Sequence, residues 1–356
     1  MRRLLADRHL LLVLAAGITL GLFGVLLSRW GNPERTGICV SCFLENTAGA
    51  LGLHNNVRLQ YIRPELPGFI LGATVSALIA GEFRSRGGAA PLYRFLAGVF
   101  LIVGCSVFIG CPIKLFLRMT AGDLTTLAGF AGLLAGGWLA VRGLTAGVHI
   151  GRSAPQQGGS GTLVPLLFLF LLILLFVQPL FLLISTRGSA AEHAPLLVSL
   201  GVGLLLGVLA QRTRFCITGA IRDLFLLGRR AQLVWGLLAF IVTATLTHLI
   251  AGSFHAGYFG QPGAHLDALW SFLGMLLVGW LSVLIGGCPF RQMIKAGEGD
   301  TDAGMVVIGM LAGGGLVQSW GIAATAAGVA LNGQVAVLAG LGFVLLLSLL
   351  FRERSA

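Results

Sequence analysis

Charge is what this chain has little of. Only 10% of its 356 residues are Asp, Glu, Lys or Arg, against about 25% in an ordinary soluble domain. No stretch is polar and long enough to fold by itself in water. No Gly-x-x-x-x-Gly-Lys phosphate loop is present, which argues against direct ATP drive. No second Cys-x-x-Cys and no His-x-x-His accompanies Cys39-x-x-Cys42, which argues against zinc. The net charge of +11 is scattered through short loops, which argues against a nucleic-acid surface. No cofactor or metal is expected.

What remains is apolar. Hydrophobic residues make up 56% of the chain, and several runs of about 20 suffice to cross a bilayer core of roughly 30 Å. The pattern predicts an all-α polytopic membrane protein with spans near 10–28, 66–82, 92–110, 123–141 and 163–185. A second set falls near 193–210, 232–252, 268–286, 303–321 and 334–351. Fifty-three glycines imply close helix packing and breaks where the backbone leaves the helix. The first run follows Arg2, Arg3 and Arg8 but lacks a small-x-small cleavage site, so it reads as a retained helix. The stretch 153–161 reads as a flexible connection.

The chain is a duplication at an offset of 177 residues. Gly110-Cys111-Pro112 matches Gly287-Cys288-Pro289, and Gly122-Asp123 matches Gly299-Asp300. Arg35, Thr36 and Cys39 match Arg212, Thr213 and Cys216, and Gly136-Gly137 matches Gly313-Gly314. The units are 1–186 and 187–356, together one integral membrane domain. Five crossings per unit is odd, so the second unit enters from the opposite side, and an inverted repeat is expected. With the N-terminus inside, seventeen Lys and Arg fall on the inner side and seven on the outer. The outer loops 253–267 and 322–333 have none. That bias predicts two cytoplasmic termini. Residues 35–52, 212–228, 111–121 and 288–299 are too short to span, and read as re-entrant or interfacial segments.

Proline favours the first position of a helix, so Cys111 and Cys288 are expected at the positive ends of short helices, beside free N–H groups. Lys114 with Arg118, and Arg291 with Lys295, would add positive charge on one face of each. In an inverted repeat these helix starts would meet at a central constriction lined by thiols. Cys39 and Cys216 are a second repeated pair. Cys42 breaks the symmetry, and Cys39-x-x-Cys42 reads as a redox pair or as half a metal site. Cys105 reads as packing. Asp123 and Asp300 read as helix N-caps or as proton-coupling carboxylates. Glu45 is placed near an Arg, and the roles of Glu45 and Asp223 stay open. His54, His248, His255 and His265 show no ligand spacing.

With these residues in view, the chain resembles the YeeE/YedE family of sulphur-transport membrane proteins, especially its YedE branch, associated with selenium. Thr213-Arg214-Phe215-Cys216-Ile217-Thr218-Gly219-Ala220-Ile221-Arg222-Asp223, Gly287-Cys288-Pro289-Phe290-Arg291 and Gly110-Cys111-Pro112-Ile113-Lys114 carry the likeness. The resemblance implies uptake of a thiosulfate-like anion or a selenium species across a bacterial inner membrane. It also implies waist cysteines at Cys111 and Cys288, and an approach lined by Cys39 or Cys216. A cytoplasmic sulphur-carrier protein is the partner it implies. The oxyanion suits helix N-termini and basic side chains, while thiols donate weak hydrogen bonds that let it leave. The rival is a membrane thiol–disulfide oxidoreductase using Cys39 and Cys42.

Overall fold

A computed structural model describes residues 7–88, 90–150 and 153–352. Arg2, Arg3, Arg152 and Arg354, used in the charge count, lie outside them. The first unit contains α1 (Arg8–Arg29), α2 (Val40–Ala50), α3 (Glu65–Ile79), α4 (Pro91–Phe108), α5 (Pro112–Thr120), α6 (Thr126–Thr145) and α7 (Leu163–Val177). The second contains α8 (Leu196–Thr213), α9 (Ile217–Leu227), α10 (Gln232–Ile250), α11 (Ala268–Leu284), α12 (Pro289–Gly297), α13 (Thr301–Ser319) and α14 (Leu331–Leu350). Among the described residues, nine helical stretches are long and apolar enough to cross a membrane, and Glu65–Ile79 is a shorter apolar tenth. The protein is a polytopic α-helical membrane protein. Four short helices are added to the spans, and they keep the repeat to the residue: α2 maps onto α9, and α5 onto α12.

The two units are interleaved. The most extensive helix pairings are α6 with α11, α3 with α8, α1 with α10 and α4 with α13. All four join one unit to the other. They also form two symmetric sets, because the repeat exchanges α6–α11 with α13–α4, and α3–α8 with α10–α1. Glycine makes these approaches close. A Cβ at Gly132 would lie 2.1 Å from the Phe272 carbonyl oxygen, and one at Gly309 2.1 Å from that of Phe95. These are the same contact in the two units.

Helix α1 is integral to the bundle. Asp7 caps its start by accepting from His9 N–H at 3.0 Å and takes a 2.6 Å bond from Gln232 of α10. The expectation of a flexible connection at 153–161 is corrected. Ala154–Pro155 (β2) pairs antiparallel with Arg86–Gly87 (β1), and Gln156 N–H donates to the Ser85 carbonyl at 2.9 Å. Thr301 Oγ1 donates to Gln156 Oε1 at 2.8 Å. The stretch is polar because it is a strap bonded across the two units, with its side chains and backbone partnered there.

Candidate functional site: two thiol pairs between two vestibules

All four repeated cysteines are helix N-caps. Cys39, Cys111, Cys216 and Cys288 precede α2, α5, α9 and α12 in extended backbone conformation, and proline opens α5 and α12. Pro112 and Pro289 begin helices as expected. The same position for Cys39 and Cys216 had no proline to signal it. At an N-cap the thiol sits beside amides that have no intrahelical partner, and Cys216 Sγ accepts from Gly219 N–H at 3.3 Å and from Cys288 N–H at 3.4 Å.

The thiols gather as two pairs, one per unit. Cys216 and Cys288 approach to 3.6 Å between sulphurs, and Cys39 and Cys111 are neighbouring thiols in the first unit. Each pair joins an N-cap of one short helix to that of the next, 72 residues on. A hydroxyl two residues past the first cysteine completes each pair: Ser41 Oγ lies 3.4 Å from Cys39 Sγ, and Thr218 Oγ1 3.3 Å from Cys216 Sγ. These hydroxyls were missed, although Cys-x-Ser and Cys-x-Thr stand at the repeat offset. The first unit adds two thiols. Cys42 Sγ lies 2.9 Å from Cys39 Sγ, and Cys105 is buried near Ser41. All six thiols are free, and no group of three or more His, Cys, Asp or Glu able to hold a metal occurs among the described residues.

Each pair lies behind a cavity, and the cavities open at opposite ends of the bundle. One of about 620 Å³ reaches Cys216 and is lined by His9 at the start of α1. The other, of about 390 Å³, reaches Cys42 and is lined by Pro33, just past the end of α1. Helix α1, 22 residues long, rises about 33 Å, one bilayer core. Basic residues dominate the Cys216 vestibule: Arg86, Arg214, Arg222, Arg230, Arg291 and Lys295, against Asp223. Arg63 and Lys114 face the other, with Glu34, Glu45 and Glu192.

The motif Gly-Cys-Pro-x-basic is a packing unit. A Cβ on Gly110 would meet Lys114 Cδ at 2.8 Å, and one on Gly287 would meet Arg291 Cγ at 2.6 Å. The absent side chain lets the basic stem fold back beside the cysteine. The residue before the motif is left-handed in both units: Ile109 has φ +60° and Gly286 φ +82°. For a β-branched residue this conformation is strained, and Ile109 lines the Cys42 vestibule.

The charges do not act as the expected same-face pairs. Arg118 bonds Asp123 at 2.8 Å, and Lys295 bonds Asp300 at 3.3 Å. Arg291 bonds Glu298 at 3.0 Å, a residue replaced by Ala121 in the first unit. Among the described residues no carboxylate lies within 4 Å of Lys114. It is 4% exposed, and its ammonium lies 3.9 Å from Cys42 Sγ. Asp123 also accepts from Thr125 N–H at 2.9 Å, and Asp300 caps α13 by accepting from Ala303 N–H at 2.9 Å. Asp223 pairs with Arg222 at 2.7 Å. Glu45, expected beside an Arg, instead meets Ser106 Oγ and Gln318 Nε2, each at 2.6 Å. Of the histidines, His54 bonds the Glu45 carbonyl and His265 the Val107 carbonyl, both local structural roles.

Comparison with known proteins bears on this half-by-half geometry. The family model described as Sulphur transport matches residues 212–352, the stretch that holds Cys216, Cys288 and the larger vestibule. This half of the chain is therefore similar to sulphur-transport membrane proteins. The thiosulfate transporter TsuA of Escherichia coli (strain K12) is 31% identical over 97 residues, 27% of either chain. The chain thus matches about a quarter of that relative's length. The family match stops at the second unit, and the 177-residue repeat extends the same cysteine framework to the first.

Proposed function

We propose that this membrane protein carries a small sulphur-containing anion, thiosulfate foremost, between its two vestibules past Cys39, Cys111, Cys216 and Cys288. The observation that supports this most is the thiol pair repeated in each unit, set on helix N-termini behind a cavity that carries basic side chains. Helix N-terminal amides and Lys114 or Arg291 suit the oxygens of such an ion. Thiols contact it without holding it, since S–H is a weak donor and sulphur a weak acceptor. Serial weak sites allow entry and release alike. A selenium oxyanion fits the same chemistry.

The vestibule at Cys216, rich in arginine, is assigned to the cytoplasm of a bacterial inner membrane. The positive-inside bias supports this. His149 N–H bonds the Phe351 carbonyl, which puts the end of α14 beside the loop after α6 on that side. An acidic sulphur-carrier protein would dock there.

The test is uptake of labelled thiosulfate and selenite, separately, in cells lacking their own sulphate and thiosulfate importers. Native protein should take up one of them, and Cys288→Ala should abolish that uptake. If neither ion enters while the protein reaches the membrane, the anion-transport reading fails. Thiol redox chemistry at Cys39 and Cys42 would then be examined.

A further inference from the structure

Glu45 is the acid that the function above leaves unused. It is 8% exposed and lines the Cys42 vestibule. Among the described residues no basic side chain lies within 4 Å of it, and its carboxyl is held by two neutral groups. Gln318 is oriented by Asn56, whose Nδ2 donates to Gln318 Oε1 at 3.0 Å, so its Nε2 must donate to Glu45 Oε2. The second oxygen lies 2.6 Å from Ser106 Oγ, a hydroxyl that serves either as donor to a carboxylate or as acceptor from a carboxylic acid. The site therefore accommodates both protonation states. The other acids of the sequence expectation differ: Asp123 and Asp300 are each tied to a cation. Glu65 is also buried, but it accepts from Asn32 and lines neither vestibule.

The other groups around Glu45 have fixed assignments. Its own helix presents Cys39 and Cys42, α4 presents Cys105, and α5 presents Lys114. From α13 the neighbour is neutral Gln318; the Asp302 of that helix is at its far end. α3 carries Glu65, bonded to Asn32, while Arg291 and Lys295 of α12 line the opposite vestibule, paired to Glu298 and Asp300. His54 takes Asn56 N–H on Nδ1 and gives Nε2–H to the Glu45 carbonyl, so both ring nitrogens are engaged. Arg63 is fully buried, donating to Asn32 and to the Ser189 carbonyl. Glu34 and Glu192 complete the acids of the vestibule.

An anion entering here meets two cations and three acids. One of those acids, Glu45, lines the cavity with Lys114, whose ammonium lies 3.9 Å from Cys42 Sγ, while the second cation, Arg63, is engaged by Asn32 and the Ser189 carbonyl. A carboxylate and a dianion cannot both be accommodated by a single ammonium, because like charges at close range in a poorly solvated cavity repel strongly. In the other vestibule the position matched to Glu45 is Arg222, so no such conflict exists. We infer that the anion binds in the Cys42 vestibule only when Glu45 carries a proton, so that anion binding there takes up one proton. The inference rests on the anion reading above. By linkage, the proton must favour the anion as much as the anion favours the proton.

Titration calorimetry of purified protein with thiosulfate, in buffers of differing ionisation enthalpy, tests this. Native protein should take up about one proton per thiosulfate, and on the alkaline side the affinity should fall about tenfold per pH unit. Glu45→Gln should bind with no net proton uptake, at the native low-pH affinity, flat within about twofold across the same range. Were Glu45→Gln lost in expression, Glu45→Asp should move the pH midpoint, and the native proton count decides alone. Thiosulfate binding without proton uptake overturns the inference and leaves the transport reading standing. Absence of thiosulfate binding at every pH overturns both.

Discussion

Lys114→Met should make the protein more stable and less able to take up the proposed anion. The ammonium is 4% exposed and, among the described residues, has no carboxylate within 4 Å. It also stands in the first turn of α5, where the helix dipole disfavours a cation by about 0.3–1 kcal/mol. An uncompensated buried charge costs several kcal/mol even after relaxation. Met keeps most of the stem that packs over Gly110 and removes the charge. A gain of about 1–3 kcal/mol is expected from lifting part of that cost. The function should move the other way. A hydrogen bond to a charged group contributes about 1.5–3 kcal/mol, which is roughly a 10- to 200-fold loss in affinity. Arg291→Met is the control, since it removes the buried partner of Glu298 and leaves that acid only the half-exposed Arg86 at 3.7 Å. Breaking such a pair costs about 3–5 kcal/mol, so this variant should lose stability together with function. Thermal melts in detergent, read beside concentration-dependent thiosulfate uptake, separate the two. A Lys114→Met protein that melts earlier than native, or takes up thiosulfate with unchanged KM, refutes the reasoning.

Two further outcomes follow from the geometry. Gly110→Ala and Gly287→Ala should each cost about 1–3 kcal/mol, the usual penalty of overpacking, and reduce uptake by displacing Lys114 or Arg291; a melt and uptake rate equal to native would contradict the packing account. A charged thiol reagent added from the Cys42 side should modify Cys42, the half-buried thiol of that vestibule, and block uptake, while Cys42→Ala resists; Cys216 should react only from the opposite side, as mass spectrometry of right-side-out and inverted vesicles would read.

Much of the architecture was legible in the residues themselves. Runs of apolar sequence mark spans because a bilayer offers the backbone no partner but itself. The 177-residue register pairs short helices of matching position, and Pro112 and Pro289 announced two helix starts through their fixed φ. Helix N-capping by Cys39 and Cys216 was not legible, because cysteine carries no strong preference for that position. The paired thiols were also hidden. Cys216 and Cys288 are 72 residues apart, and only the folded bundle brings their sulphurs to 3.6 Å.

Charge shows the same division. The sequence by itself determined which basic residues follow each Gly-Cys-Pro and which acids open the next helix. Only the tertiary structure decided that Arg118, Lys295 and Arg291 are neutralised while Lys114 is not, since pairing depends on where a carboxylate is carried in space. Ala121 stands where the second unit has Glu298, a difference whose meaning depends on the fold of α12. Likewise the polar stretch 153–161 was flexible by composition and became a strap because Arg86–Gly87 supplied unpaired backbone groups beside it. Local preferences and period are written along the chain; which buried charge keeps a partner is settled where distant segments meet.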